Sequence, residues 1–510
     1  MEYLDKAGKQ AMETYANQEA IQFFSQALEW DAKLPKAEGK SEMRLRQFRR
    51  SQWHGRLGLA HYGIGNLPEC DRNVREALRL LGSPIPRSNL QFILGMFPQI
   101  MSQVLHRYFP GRFIGSARGT DREVAIDVSR LYELMSRIYF YSNQTLGIIY
   151  SVLLFLNSAE KVGTSPELAS AYASMGVLAG FAQLHKLAEA YVERGLAVAR
   201  EVNQPSNLIT VNVITGTYKL SVGKWDEVRT KAQEAQAICE QLGDSRQWGD
   251  STVLMAESAL ISGDIDFAIK MQHRLLEDAR RRHSPLHQGW GLFGVAANNL
   301  RLGNAAVAVP MLDEALQILE EIPNISSSIN TNGTLALAYL RLGRDDKALQ
   351  YAAKVLELAE NISPAVYSIN IGFTSTAEVY FNLWERALQD PTRGPVAEQY
   401  RVSALRAIKL VQAYEKVFPI GQPHTPYYQG LYASLTGAKE KAFKLWTKSL
   451  EASERYNMLY EQGLAHLKLA TAESAAIAGK THLERATVIF RRMGAAHELR
   501  IAKEAAKKFQ

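Results

Sequence analysis

The sequence has little cysteine. Cys70 and Cys239 are the only two among 510 residues, and neither has a second cysteine at CxxC spacing. A disulfide framework is therefore not expected, and the pattern is typical of a reducing compartment. The chain also begins without the basic stretch and apolar run of a secretion signal. Together these absences predict a cytoplasmic protein.

Long hydrophobic runs are missing too. The most apolar stretch, residues 146–156, is too short to span a bilayer, and we interpret it as a helix buried on all sides. We therefore expect no membrane partner. Alternating β-branched residues between Asn-Gly or Asp-Gly turns are nearly absent. The sequence thus predicts helices and not a sheet.

An excess of one charge is absent as well. The 59 Lys and Arg residues nearly balance the 52 Asp and Glu residues, for a formal net charge of +7. Basic residues cluster at 44–50, 280–282 and 503–508, hundreds of residues apart, whereas nucleic-acid binding favours one continuous basic stripe with stacking aromatics. We interpret the clusters as solvated helix faces. A nucleic-acid-binding helical repeat protein that uses these clusters is the alternative function.

What the sequence does contain is a repeat with a 40-residue period. A leucine recurs with a glycine three residues later, a small residue four residues earlier, and a Val or Ala eight residues later. The columns are Leu220, Leu260, Leu300 and Leu340; Gly223, Gly263, Gly303 and Gly343; Gly216, Ala256, Ala296 and Ala336; and Val228, Ala268, Ala308 and Ala348.

Each column has a physical meaning. Glycine ends a helix because it adopts the left-handed conformation without a Cβ clash. Asp264 and Asn304 follow two of these glycines and suit the cap of the next helix. The small residues mark the crossing of two helices, where a larger side chain would cost about 1–3 kcal/mol. Each period is therefore a helix, a tight turn and an antiparallel helix, and such pairs must stack to bury their apolar faces.

These columns resemble the tetratricopeptide repeat (TPR) pattern, lengthened from its usual period of about 34 residues. The resemblance implies an all-α fold: a right-handed superhelical solenoid of antiparallel TPR-like helix pairs. We predict N-terminal pairs in 1–82, a helical insertion in 83–121, a central array in 122–417, and C-terminal pairs with a capping helix in 418–510. The insertion is bounded by prolines, holds an apolar helix near 90–108, and is expected to pack on the solenoid.

Four further stretches carry a closer resemblance: NSAE at 157–160, SPELASAY at 165–172, LHKLA at 184–188 and HLERA at 482–486. They are similar to the C-terminal TPR region of bacterial signalling proteins, where that region follows a class III adenylate/guanylate cyclase or kinase domain and an AAA/STAND-type ATPase domain. The resemblance implies a regulatory scaffold, with a linked or separate ATPase, cyclase or kinase module as partner. The P-loop motif GxxxxGKS/T of such ATPases is absent from this sequence.

The sequence gives only weak support for a catalytic or metal-binding site. His283 and His287 are four residues apart, but Pro285 between them interrupts the helix that would align them on a metal. Cys70 occupies a small-residue column and is interpreted as a packing residue. We therefore predict no catalytic residue, cofactor or metal, and a protein that is not an enzyme. An unrecognised active site between the insertion and the solenoid is a third hypothesis.

Binding is the favoured function. In TPR arrays the first helices of successive pairs line a concave groove that binds peptides or proteins. By this resemblance the groove-facing candidates are Thr217, Glu257, Trp290, Asn298, Arg301 and Arg341.

Overall fold

The computed structural model describes residues 1–14, 16–35, 39–322, 324–360, 362–472 and 476–507. Within these ranges the chain is helical and contains no β-strand, which confirms the all-α prediction. Its internal contacts divide it into two compact units, Met1–Thr215 and Gly216–Gln510. The segment boundaries at 82/83, 121/122 and 417/418 stay predictions.

Unit 1 consists of antiparallel helix pairs and the insertion. Its helices are α1 (Glu2–Glu13), α2 (Asn17–Lys33), α3 (Lys40–Gly63), α4 (Leu67–Leu80), α5 (Asn89–Tyr108), α6 (Pro110–Phe113), α7 (Gly119–Tyr141), α8 (Thr145–Val162), α9 (Pro166–Phe181), α10 (His185–Val202) and most of α11 (Pro205–Ser221). The pairs are α1 with α2, α3 with α4, α7 with α8, and α9 with α10.

The insertion does not interrupt the stacking of unit 1. Helix α4 packs directly on α7, and α5 lies against α8. Helix α8 is the one helix of the described residues that is long and apolar enough to cross a membrane, by length and composition alone. Two thirds of that helix (67%) is buried inside the molecule, as expected for a core helix. The predicted buried helix at 146–156 is therefore confirmed.

Unit 2 continues the pairing. Its helices after α11 are α12 (Trp225–Leu242), α13 (Ser245–Ser262), α14 (Ile265–Arg281), α15 (Pro285–Arg301), α16 (Ala305–Glu320), α17 (Ile325–Arg341), α18 (Asp345–Leu358), α19 (Asn370–Leu388), α20 (Gly394–Glu415), α21 (His424–Leu435), α22 (Lys439–Arg455), α23 (Leu459–Ala472), α24 (Ala476–Arg492) and α25 (Ala496–Ala506).

The glycine column lies at the corners between paired helices, as predicted. Gly223, Gly263, Gly303 and Gly343 follow α11, α13, α15 and α17 and have φ between +70° and +93°. In the preceding period Gln183 takes the same conformation, with φ +59°, so the corner tolerates a side chain there. The predicted cap is confirmed only for Asp264, whose side chain accepts from the Phe267 amide at 3.3 Å.

Asn304 departs from that prediction. It stands at the cap position of α16, but its side-chain amide donates to Asn299 Oδ1 at 3.4 Å and makes no cap hydrogen bond.

The small-residue columns behave as expected. Ala256, Ala296 and Ala336 are buried in the helix crossings, and so are the Val and Ala residues of the column that begins at Val228.

The last helices of unit 2 return to the corners of its first pairs. The indole Nε1 of Trp225 donates to the Tyr456 carbonyl at 2.6 Å. A Cβ added at Gly223 would lie 2.7 Å from the Tyr456 ring, and one at Gly263 would lie 3.0 Å from Leu459 Cδ1. These glycines therefore serve both as turns and as contact points, for the residue that follows α22 and for the start of α23. The repeat pattern alone does not predict this closure.

Candidate functional site

The six candidates lie on the first helices of successive pairs in unit 2. Their positions are Thr217 on α11, Glu257 on α13, Trp290, Asn298 and Arg301 on α15, and Arg341 on α17. Two of them, Arg301 and Arg341, converge with side chains from α19, α23 and α25. We call this group the polar centre; its members are Arg301, Arg341, Glu378, Tyr460, Glu461 and Glu498.

Arg341 is almost completely buried, with only 4% of its side chain exposed. Its Nη2 lies 2.7 Å from Glu498 Oε1 and 3.6 Å from Glu378 Oε1. Its Nη1 donates to the Leu300 carbonyl at 2.6 Å. Burial alone would lower the pKa of Arg341, but Glu498, Tyr460 and Glu378 together outweigh the effect of burial and raise the pKa above its usual value. The guanidinium is therefore charged and held by the last helix.

Arg301 joins the same group through an aromatic ring. Its guanidinium carbon lies 3.5 Å from the centroid of the Tyr460 ring, and its Nη2 lies 3.8 Å from Glu461 Oε1. The Tyr460 hydroxyl in turn donates to Glu498 Oε1 at 2.8 Å. Tyr460 and Glu498 thus connect the two arginines across α23 and α25.

The polar centre has hydrogen-bonding capacity that the described residues do not use. Arg301 Nη1, Arg341 Nε, Glu461 Oε2 and Glu498 Oε2 are buried without a protein partner. Each buried group without a hydrogen bond lowers the stability of the protein by about 1–3 kcal/mol, so these donors and acceptors favour contact with a polar or charged group of a partner. Burial also raises the pKa of Glu461. The chemistry available is recognition of charge and main-chain groups, since no nucleophile is positioned among these side chains.

Glu257 forms a separate contact. Its carboxyl hydrogen-bonds the Tyr367 hydroxyl, while Oε2 is buried without a protein partner. Burial raises its pKa to about 7, so the group can change charge near neutral pH. Tyr367 is itself held at its carbonyl by the Tyr414 hydroxyl at 2.6 Å.

The other three candidates do not join these groups. Asn298 is 1% exposed and donates to the Gly294 carbonyl at 2.7 Å within its own helix. Trp290 is half-buried and donates from Nε1 to Ser327 Oγ at 3.1 Å, which ties α15 to α17. Thr217 is half-buried on α11. The candidates therefore do not form one open groove.

The sequence did not predict four members of the polar centre: Glu378, Tyr460, Glu461 and Glu498. Glu378 lies on α19, and the other three lie on α23 and α25, the helices that return to the first pairs. A signal existed for Glu498, because it falls with Ala495 and Ala502 at helical spacing on a buried face. A carboxylate at an apolar position of an amphipathic helix indicates a buried ion pair.

A second polar group lies under the insertion. His106 Nε2 is 3.2 Å from Ser102 Oγ, and His106 Nδ1 is 2.5 Å from Glu160 Oε2. Ser102, His106 and Glu160 thus follow the order of a nucleophile, a base and an orienting carboxylate in a catalytic triad. Ser102 lies inside α5, where the amides bond within the helix and leave no oxyanion donors. Gln103 also donates to Glu160 at 2.7 Å, and Phe113 stacks on the imidazole. The group attaches α5 to α8.

The remaining sequence candidates have structural partners. His283 ends the turn after α14 with φ +52°, and His287 contacts Asp250 at 3.0 Å and not His283. No cluster of three or more His, Cys, Asp or Glu suited to a metal occurs in the part of the chain that the structure describes. Cys70 is fully buried, as predicted.

Two of the three basic clusters are largely paired with carboxylates. Arg46 and Arg49 each lie 2.9 Å from a carboxylate oxygen of Asp31, whose side chain is completely buried. Arg281 and Arg282 both bind Asp278. In the third cluster, Lys508 lies outside the described residues. These pairings reduce the charge available to phosphates and disfavour the nucleic-acid alternative.

A family model described as tetratricopeptide repeat matches residues 291–361, which extend from α15 past the end of α18. No curated protein matches the sequence. Among solved structures, the chain is similar to a Rap protein complexed with competence and sporulation factor, with 11% identity, TM-score 0.43, and 86% of this chain and 99% of that chain covered.

It is also similar to a Signal Transduction ATPase with Numerous Domains (STAND) protein with a tetratricopeptide repeat sensor from Pyrococcus horikoshii, at 13% identity and TM-score 0.44, covering 74% of this chain and 56% of that one. The Cut9–Hcn1 hetero-tetramer of the APC/C is similar at 12% identity and TM-score 0.35, covering 98% and 96%. The family match supports a TPR-like assignment for α15 to α18.

Proposed function

We propose that this chain is a non-catalytic cytoplasmic scaffold that binds a protein or peptide partner on the first helices of the pairs in unit 2. We further propose that it acts as the sensor or regulatory arm of a signal-transduction ATPase or cyclase system. The observation that carries the binding function is the polar centre, where α15 and α17 already bind two helices of the same chain. The link to an ATPase, cyclase or kinase module depends on the sequence resemblance at 157–188 and 482–486.

The chemistry of the partner follows from the helices that now occupy the site. Helices α23 and α25 present Tyr460, Glu461 and Glu498 to the two arginines. A helical segment that carries carboxylates and an aromatic ring therefore has the groups that Arg301 and Arg341 bind. Such a partner uses the free Arg301 Nη1 and competes with α23 for the same guanidinium.

Binding measurements with the purified full chain test this proposal. The probes are synthetic helical peptides with alternating Glu and Tyr on one face, and basic peptides of equal length. We expect the acidic peptides to bind, and Arg301→Ala to weaken that binding by about tenfold, as expected for loss of one charge-assisted contact of about 1.5–3 kcal/mol. Arg344→Ala is the matched control, since Arg344 is exposed at the start of α18.

Two results would contradict the proposal. Equal binding to the wild type and to Arg301→Ala would remove the polar centre as the binding site. Equal binding of acidic and basic peptides would remove the charge recognition. The regulatory role has its own test: a purified ATPase or cyclase from the same signalling system should change its turnover when the full chain is added.

A further inference from the structure

Helix α5 of the insertion packs most of its polar side chains, together with the buried Phe92, against the rest of unit 1. Its polar side chains face the protein: Asn157 accepts from Gln103 and donates to Gln99, and Glu160 contacts Gln103 and His106. The contacts recur at positions 99, 103 and 106, one face of a helix. This face is fixed to α8 by hydrogen bonds, so the orientation of α5 is well determined.

The opposite face of α5 is apolar and exposed. Leu94 and Phe97 are 66% and 70% exposed, and large apolar residues continue along the same side for the whole helix. Members of this face are Leu90, Ile93, Leu94, Phe97, Met101 and Tyr108. Single exposed apolar residues are ordinary, but a continuous stripe along a 20-residue helix marks an interaction surface.

The charges around this face have one sign. From Ser83 to Thr120 the sequence contains no Asp or Glu, while Arg87, Arg107, Arg112 and Arg118 are all exposed. Arg87 precedes α5, Arg107 lies in its last turn, and Arg112 and Arg118 follow it. Within the described ranges none of the four forms an ion pair with a carboxylate, although those ranges contain many such pairs elsewhere. The surface therefore combines an apolar stripe with unneutralised positive charge at both ends.

We propose that α5 lies in the interface of an anionic phospholipid membrane, with its outward apolar face among the acyl chains and the arginines at the headgroups. Interfacial helices of this kind combine an apolar face with basic residues, and their binding depends on anionic lipid. The aromatic residues Phe97, Tyr108 and Phe109 suit the headgroup region. Helix α5 lies on the bilayer and does not cross it, because its inner face stays bonded to α8.

A second copy of this chain fits the surface less well. An antiparallel pairing of two α5 helices would bring Arg87 of one copy towards Arg107 and Arg112 of the other. A parallel pairing would bring each arginine towards the same arginine of the other copy. Neither arrangement offers a carboxylate from the insertion, so charge complementarity favours an anionic surface. This proposal also departs from the sequence expectation of no membrane partner, which depended on the lack of a spanning segment.

Vesicle flotation with the full chain tests the proposal. The vesicles are phosphatidylcholine alone, and phosphatidylcholine mixed with phosphatidylglycerol. We expect the wild type to float with the mixed vesicles and at least tenfold less with the neutral ones. Because this comparison uses the unaltered chain, it does not depend on the folding of any variant.

Three double variants locate the contact. Leu94→Glu with Phe97→Glu should abolish flotation on both vesicles, and Arg107→Glu with Arg112→Glu should reduce binding to anionic vesicles by about fivefold or more for each arginine. The control is Ile477→Glu with Val488→Glu, which places two charges on exposed apolar positions of α24 and should float like the wild type. Circular dichroism checks that each variant is folded.

Three outcomes would overturn the proposal. In the first, the wild type floats with neither kind of vesicle. In the second, the control loses as much binding as the variant in α5. In the third, light scattering shows a dimer that Leu94→Glu with Phe97→Glu dissociates, which would assign the apolar face to a second copy. None of these results bears on the peptide site of unit 2.

Discussion

Arg341 on α17 and Glu498 on α25 form an ion pair of 2.7 Å across 157 residues of sequence, and both side chains are almost completely buried. Glu498 is the nearest carboxylate to Arg341, with Glu378 farther away at 3.6 Å, and a buried charge of this kind is costly without a partner. The pair therefore fixes the last helix of unit 2 to one of its first pairs, in addition to the apolar packing of the C-terminal helices.

Replacement of Arg341 by alanine tests this role. We expect Arg341→Ala to lower the free energy of unfolding by about 3–5 kcal/mol, because Glu498 is left buried without a counter-charge. Urea denaturation measures the change. Arg344→Ala, on an exposed position three residues later, should stay within about 0.5 kcal/mol of the wild type. A loss below 1 kcal/mol in Arg341→Ala, a threshold well under the usual cost of breaking a buried pair, would mean that water already solvates the site.

The corner glycines allow backbone strain to be separated from contact with the returning helices. Gly343 and Gly263 both have positive φ, but a Cβ at Gly343 meets nothing within 4 Å, whereas one at Gly263 lies 3.0 Å from Leu459. Gly343→Ala should cost about 1–2 kcal/mol of unfolding free energy from the left-handed conformation alone. Gly263→Ala should cost about 1–3 kcal/mol more, from overpacking against α23.

Thermal and urea denaturation of the two variants, side by side, measure this difference. Equal losses would show that Leu459 moves aside freely, and that the contact between this corner and α23 is loose. A greater loss in Gly343→Ala would contradict the assignment of both positions to the same kind of corner.

Most of the fold could be predicted from the sequence because the contacts within each helix pair join residues that are close in sequence. A glycine at a helix end and a small residue at a crossing act within one period, so spacing alone located corner glycines such as Gly263 and Gly303. The polar centre depends instead on α23 and α25 returning over more than 150 residues. No spacing rule connects Arg341 with Glu498, so Arg301 and Arg341 were predicted as groove residues without the side chains that hold them.

The orientation of the insertion helix also could not be predicted from local sequence. Its apolar composition predicted a helix packed on the solenoid, because apolar faces are usually buried. The structure buries Phe92 alone among the large apolar side chains of α5 and otherwise packs the polar side of the helix, since Glu160 and Asn157 on α8 offer hydrogen bonds to Gln103 and His106. The orientation of α5 depends on the partners that α8 presents, which the sequence of the insertion alone does not contain.

The attachment of α5 to α8 can be distinguished from a catalytic arrangement. Glu160→Ala removes the acceptor of His106 and Gln103 and should lower the free energy of unfolding by about 2–3 kcal/mol. Ser102→Ala should change it by less than about 0.5 kcal/mol, because the hydroxyl is at the edge of the group. A fluorophosphonate probe should leave Ser102 unlabelled. Labelling that disappears in Ser102→Ala would restore the enzyme hypothesis.

Glu257 predicts how the stability of unit 2 depends on pH. Burial raises its pKa from 4.5 to about 7, so the folded protein prefers the protonated form. The resulting stabilisation is fully present below about pH 4.5 and is lost as the pH rises through about 7. A shift of this size corresponds to about 3 kcal/mol. We therefore expect the free energy of unfolding to fall over this interval.

Glu257→Gln isolates this contribution, because the amide keeps the shape and a hydrogen bond to Tyr367 but cannot ionise. Urea denaturation at a series of pH values should show that the difference between wild type and Glu257→Gln changes by up to about 3 kcal/mol between about pH 4.5 and 7, and little above about pH 8. Glu321→Gln, at an exposed position after α16, should reproduce the wild-type profile. A difference between wild type and Glu257→Gln that stays constant with pH would place the Glu257 carboxylate in contact with water, and would exclude it as a proton-responsive group.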